Sequence, residues 1–193
     1  IGVGTAFPTH WSESHTSAFH PSKETTVSAT SPATQTVRTQ VAIVGAGPAG
    51  LVLSHLLADV GIDSVVIDRR SRDEIASTIR AGILEQGTAD LLTAIDPQTR
   101  VHTVGSKHDG IEFYFDGRAL RSDFDDLDVK SVHLYQQHEV LKELIAARIR
   151  DGVPPLFEHT ASAVVDAETD QPRILGTTAA GDPFEIHADV VVG

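Results

Sequence analysis

The chain has 193 residues and contains neither cysteine nor methionine. Without cysteine there is no disulfide framework and no thiolate metal site. That absence suits a reducing compartment, and a cytoplasmic location is expected. Cations are scarce: 15 Lys and Arg stand against 27 Asp and Glu, for a net charge of −12 and a pI near 5.1. A nucleic acid or an anionic membrane surface would be repelled by such a chain. No apolar run reaches membrane-spanning length, and the first residues lack the basic-then-apolar order of a secretory leader. There is no internal repeat. The glycine-framed serine of serine hydrolases and the P-loop of nucleoside triphosphatases are both missing. His138-Glu139 begins a zinc-protease signature, but the residue four positions after His138 is Lys142, so the second ligand is absent.

The two ends differ from the middle. Ser and Thr fill 14 of the first 36 positions, with few large apolar residues. Such a segment buries too little surface to offset its ordering entropy. Residues 1–36 are therefore expected to be a disordered or non-native tail, and 37–193 a single domain. Val37 is a candidate start, read as Met from an alternative codon. His10, His15 and His20 recur every five residues. Neither helix nor strand aligns that period, so they are set aside as a metal site. The chain stops at "ADVVVG", Ala188 to Gly193, inside what reads as a buried strand. An amino-terminal fragment, incomplete at its C-terminus, is expected.

From Gln40 onward the pattern is strand, helix, strand. "VAIV" (41–44) is a short continuous apolar run, as in a parallel strand covered on both faces. Pro48 to Ala58 is almost wholly apolar and reads as a buried helix, with proline in its first turn. "GID" (61–63) turns the chain, and "SVVID" (64–68) is the second strand. Farther on, 83–95 reads as a helix ended by Asp96-Pro97. "IEFYFDGRAL" (111–120) reads as a hairpin with Asp116-Gly117 at its turn. Residues 138–150 form an amphipathic helix. Short strands follow near 161–167, 173–178 and 183–187, with a last apolar run at 190–192. The fold class is α/β, a Rossmann-like domain with a mostly parallel sheet and an added hairpin.

Gly45, Gly47 and Gly50 form G-x-G-x-x-G between the first strand and the helix. The first glycine permits the tight turn, the second lets backbone approach a pyrophosphate, and the third lets helix and strand pack closely. The helix start then offers N–H groups and a positive dipole end to phosphates. Asp68 lies 23 residues beyond Gly45, at the end of the second strand, where a carboxylate can accept both hydroxyls of an adenosine ribose. The turn predicts a dinucleotide and leaves FAD and NAD open, since both carry an ADP half. Arg69 and Arg70 put cations beside the adenine edge. The carboxylates of "SDFDDLD" (122–128) read as a solvated acidic loop rather than a cation site.

The next run, "STIRAGILEQG" (77–87), decides between the two cofactors. With GAGPAG and the acid-arginine pair ahead of it, it resembles the flavoprotein aromatic hydroxylases, and within them the branch acting on 4-hydroxybenzoate. "HDGIEFYFDG" (108–117) and "LYQQHEV" (134–140) resemble later segments of that family, in the same order. The resemblance covers residues 39–193, the family's amino-terminal half.

It implies FAD as cofactor, NAD(P)H as co-substrate, and hydroxylation of a small aromatic acid, 4-hydroxybenzoate, by O2 to 3,4-dihydroxybenzoate. Gly45, Gly47, Ala49 and Gly50 would hold the FAD pyrophosphate, with Asp68 and Arg69 at the adenosine. Arg80 would lie along the FAD, with backbone contacts from Ala81, Gly82 and Ile83, and Gln137 would hold the ribityl or phosphate region. No catalytic residue is assigned, because the family's substrate-binding residues lie beyond position 193. A homodimer is left open for the full-length protein. Thr78 and Gln136 depart from the family pattern, which has Arg and Gly there. Asp73 and Glu74 put negative charge where the family meets the nicotinamide cofactor's 2′-phosphate, so NADH is expected to serve at least as well as NADPH. The alternatives are an FAD hydroxylase of another phenol and a non-catalytic FAD-binding module.

Overall fold

The structure is a computed structural model that describes residues 34–128 and 130–193. His10, His15, His20 and all but the last residues of the expected tail lie outside the described part. Strand β1 (Gln35–Arg38) begins two residues ahead of the boundary drawn from composition.

The centre is a four-stranded, all-parallel sheet. It contains β2 (Val41–Val44), β3 (Ser64–Asp68), β9 (Leu156–Phe157) and β13 (Val190–Val192), in the order β13-β2-β3-β9. The run at 190–192 thus pairs beside β2, Val191 opposite Ala42. Alternation along the strands sorts side chains to two faces. Ile43 and Val66 join Leu51, Ile75, Leu144 and Ile145 on the helical side. Ala42 and Ile67 join Ile174, Phe184 and Ile186 on the other. Each fully buried aliphatic side chain contributes about 2 kcal/mol against its exposed state.

Helix α1 (Pro48–Asp59) follows β2 directly, and α4 (Gln137–Arg150) packs across it. The second face of the parallel sheet is covered by a mixed sheet. This consists of β1, β10 (His159–Val165), β11 (Arg173–Thr178) and β12 (Pro183–His187), in the order β1-β12-β11-β10. The hairpin is β6 (Gly110–Phe115) and β7 (Arg118–Asp123), with Asp116 and Gly117 both at positive φ. The acidic stretch after it holds a single 3-10 turn, Asp125–Leu127, and no metal-ligating cluster is found among the described residues.

Two differences from the expected elements matter for the site. Only Gln86–Ile95 is helical (α3), while Ile83–Glu85 is a strand, β4. A partner strand overrides helix periodicity there: β4 pairs antiparallel with β8 (Val132–Leu134), which also holds β5 (Ser106–His108). This small sheet ties the segment at 83 to the segment at 134. The second difference is a short helix, α2 (Arg72–Ser77), opened by a capping box. Ser71 Oγ accepts from the Glu74 N–H at 3.1 Å, and Glu74 accepts from the Ser71 N–H at 2.7 Å.

Candidate functional site: a dinucleotide cradle at the β2–α1 turn

The turn takes its form from its glycines. Gly45 sits at φ +120°, a conformation that L side chains rarely adopt, and its N–H donates to Ile67 O at 2.8 Å. A Cβ on Gly50 would stand 2.1 Å from Gly45 O, so helix and turn touch there. Gly47 differs. It is the N-cap of α1, and a Cβ on it would meet nothing within 4 Å. With Arg70, Thr78, Arg80 and Gln137, among others, it lines a cleft of about 210 Å³. No side chain caps α1, and Pro48 has no N–H to satisfy. An uncapped helix start facing a guanidinium across a cleft suits a diphosphate.

Asp68 ends β3 and points back at the turn. Its Oδ2 accepts from the Ala46 N–H at 2.8 Å, and the carboxylate is only 5 % exposed. Burial alone would raise its pKa. The hydrogen bonds from Arg70 and Ala46 more than offset that, and the carboxyl is held below its usual range. A cavity of about 480 Å³ opens beside it, lined by Gly45, Arg69, Arg70, Thr78, Arg80 and His159, among others.

Of the residues singled out in the sequence, Gly45, Gly47, Asp68, Arg69, Arg80 and Gln137 line these two adjoining cavities. Ala49 and Gly50 line neither of these; with Gly45, Gly47, Val192 and Gly193 they line a third cavity at the turn. Ala81 and Ile83 stand on the surface beyond Arg80, and Ile83 is 67 % exposed. Gly82 is pressed against the backbone of Tyr135 and Gln136, which sets Arg80 near Gln137. Arg70, expected with Arg69 beside the adenine edge, lines both cavities, whereas Thr78, His159 and Thr160 were not foreseen as lining residues. His159 and Thr160 reach the cavity because β9 pairs parallel with β3, and Glu158 N–H then donates to Arg70 O at 3.1 Å. No periodicity marks a contact between segments about ninety residues apart.

Residues 38–193 match the family described as "FAD binding domain". The chain belongs to that family. FAD is therefore its cofactor. A curated relative, p-hydroxybenzoate hydroxylase of Acinetobacter baylyi, is 38 % identical over 160 residues, which is 82 % of this chain and 39 % of that protein. The chain thus spans about two fifths of that relative's length. Among solved structures, p-nitrophenol 4-monooxygenase from Pseudomonas putida superposes with a TM-score of 0.69 at 20 % identity, covering 81 % of this chain and 40 % of that one. The flavin-dependent monooxygenase PieE gives 0.65 at 22 % identity, covering 81 % and 30 %. At these identities the likeness shows the fold, a Rossmann-like α/β domain.

Proposed function

We propose that the chain forms the FAD-binding part of an aromatic hydroxylase that converts 4-hydroxybenzoate to 3,4-dihydroxybenzoate with NAD(P)H and O2. The observation that carries this reading is the convergence of Gly47, Arg80 and Gln137 on one cleft, in a chain 38 % identical to a p-hydroxybenzoate hydroxylase. FAD, when bound, supplies the redox and oxygen chemistry. The chain's own residues bind and orient it. The α1 start and Arg80 take the diphosphate. Asp68 takes the adenosine ribose, with Arg69 on the rim. Gln137, able to donate and accept at once, takes the ribityl or phosphate region. Ala81, Gly82 and Ile83, beyond Arg80, give backbone contacts along the FAD.

The nicotinamide preference follows from α2. Glu74 is spent on the capping box, while Asp73 stays exposed in the first turn. Its charge disfavours an added phosphate, so NADH serves at least as well as NADPH.

The test is to express the whole product of the coding sequence that contains these residues. Oxidation of NADH and of NADPH is then followed with and without 4-hydroxybenzoate. Faster oxidation on adding 4-hydroxybenzoate, with 3,4-dihydroxybenzoate formed, is expected. Stimulation by a different phenol alone would move the assignment to another hydroxylase. A strong kinetic preference for NADPH would refute the coenzyme reading.

A further inference from the structure

The four acceptor positions of Asp68 are all taken within the chain. Oδ1 accepts from the Arg70 N–H and from Arg70 Nε, each at 2.9 Å. Oδ2 accepts from Arg70 Nη2 and from the Ala46 N–H, each at 2.8 Å. A carboxylate has about four such positions. A ribose that hydrogen-bonds Asp68 through its hydroxyls must therefore displace a donor. The Ala46 N–H is fixed in the glycine turn, and the Arg70 N–H is fixed in the backbone, where Arg70 O also accepts from Glu158. Only the Arg70 guanidinium can move, and its side chain is 34 % exposed.

Its position makes the move consequential. Arg70 lines both the cavity beside Asp68 and the cleft beside Gly47, and Thr78 and Arg80 flank both as well. The guanidinium therefore lies at the boundary between an adenosine-sized space and a diphosphate-sized one. Glu74, whose charge also acts on it, is already bonded to Ser71 and offers no equal alternative.

We propose that Arg70 is a positioning residue of the cofactor site, whose guanidinium and the ribose hydroxyls compete for the same Asp68 oxygens. Binding exchanges one for the other, and the guanidinium turns toward the diphosphate side. This rests on the FAD-binding reading above. Arg70 thus opposes the ribose and favours the phosphates. An adenosine without phosphates meets only the opposition.

The experiment uses the whole product of the coding sequence that contains these residues, freed of bound cofactor, with adenosine as probe, after FAD binding has been checked by quenching of flavin fluorescence. Arg70→Ala should bind adenosine about fivefold more tightly, the ratio that a part-exposed bidentate pair is worth. Arg70→Lys, which keeps one bond, should fall between. Neither variant should gain affinity for 2′,3′-dideoxyadenosine, which lacks the competing hydroxyls. A second measurement needs no variant: the Arg70 Nε–H resonance should shift and lose exchange protection on titration with adenosine. Adenosine affinity unchanged in Arg70→Ala, an equal gain for the dideoxy analogue, or a static Nε–H resonance in a chain that binds FAD would overturn the proposal alone. A chain that quenches no flavin fluorescence overturns the FAD-binding reading, and this proposal with it.

Discussion

Tyr135 N–H donates to Gly82 O at 3.0 Å, and a Cβ on Gly82 would stand 2.0 Å from Tyr135 O. Backbone meets backbone there, with no flexible side chain to yield. The contact is what seats the 78–83 strip, which carries Arg80, beside Gln137. Gly82→Ala should therefore destabilise the chain by about 2–3 kcal/mol, read as a lower urea midpoint. Because the strip must shift, FAD affinity should fall as well. Unchanged affinity in a folded variant would mean that Arg80 is held by something else.

Two glycines of the turn, Gly50 and Gly47, should separate by what they serve. Gly50→Ala forces a Cβ to within 2.1 Å of Gly45 O, and about 2 kcal/mol or more of stability should be lost. Gly47→Ala meets no protein atom. As an N-cap change it should cost about 0.5 kcal/mol, yet its methyl enters the space assigned to the diphosphate. Melting should barely register Gly47→Ala, while FAD titration should show a large loss. Normal FAD binding by Gly47→Ala would place the diphosphate elsewhere.

The extent to which this was legible in the sequence follows range. The glycine turn, β2, α1 and β3 are contiguous, and each shows its own period, so Gly45, Gly47, Gly50 and Asp68 could be placed from spacing alone. Arg80 and Gln137 came from resemblance to a family, since nothing periodic marks them. The small sheet that joins β4 to β8 was missed because its strands are three residues long, too short for alternation to show. Ile83 and Leu84 were therefore read as helix. The Arg70–Asp68 grip was also missed. Arg70 lies just past the strand end, where the chain bends, and nothing in the spacing marks the pair.

His55 should make the domain sensitive to mild acid. It is buried between α1 and α4, and its Nε2 lies 3.0 Å from Leu144 O. A carbonyl only accepts, so the neutral ring donates from Nε2. Burial, above all, lowers its pKa from the usual 6.5, with Arg148 adding to the effect and the bond to Leu144 opposing it. The unfolded chain then takes up the proton first. Stability should be constant above about pH 7 and fall as pH drops through 6.5, by at most about 1.4 kcal/mol per pH unit. Denaturation midpoints from pH 8 to pH 5 would show this slope, and His55→Gln should flatten it. An equal slope in the variant would assign the loss to other groups.

Arg148 offers a test of what a buried charge contributes. It lies on α4, 2 % exposed, and no carboxylate among the described residues forms an ion pair with it. Its guanidinium reaches Ser54 O at 3.4 Å and Ser64 O at 3.3 Å, both long bonds, and Nε has no partner. Burial lowers its pKa, which means that the environment disfavours the charge it carries. Methionine is shorter and smaller, but its flexible apolar chain replaces the aliphatic stem and needs no solvation. Replacing a buried charge by a packed apolar side chain is often neutral or stabilising. Arg148→Met should therefore lie within about 1 kcal/mol of the parent or above it, whereas Arg148→Ala should lose about 2–3 kcal/mol to the cavity. If both variants lose equally, the two long bonds carry more than their geometry indicates, and Arg148 is a clamp between α1 and β3 rather than a tolerated charge.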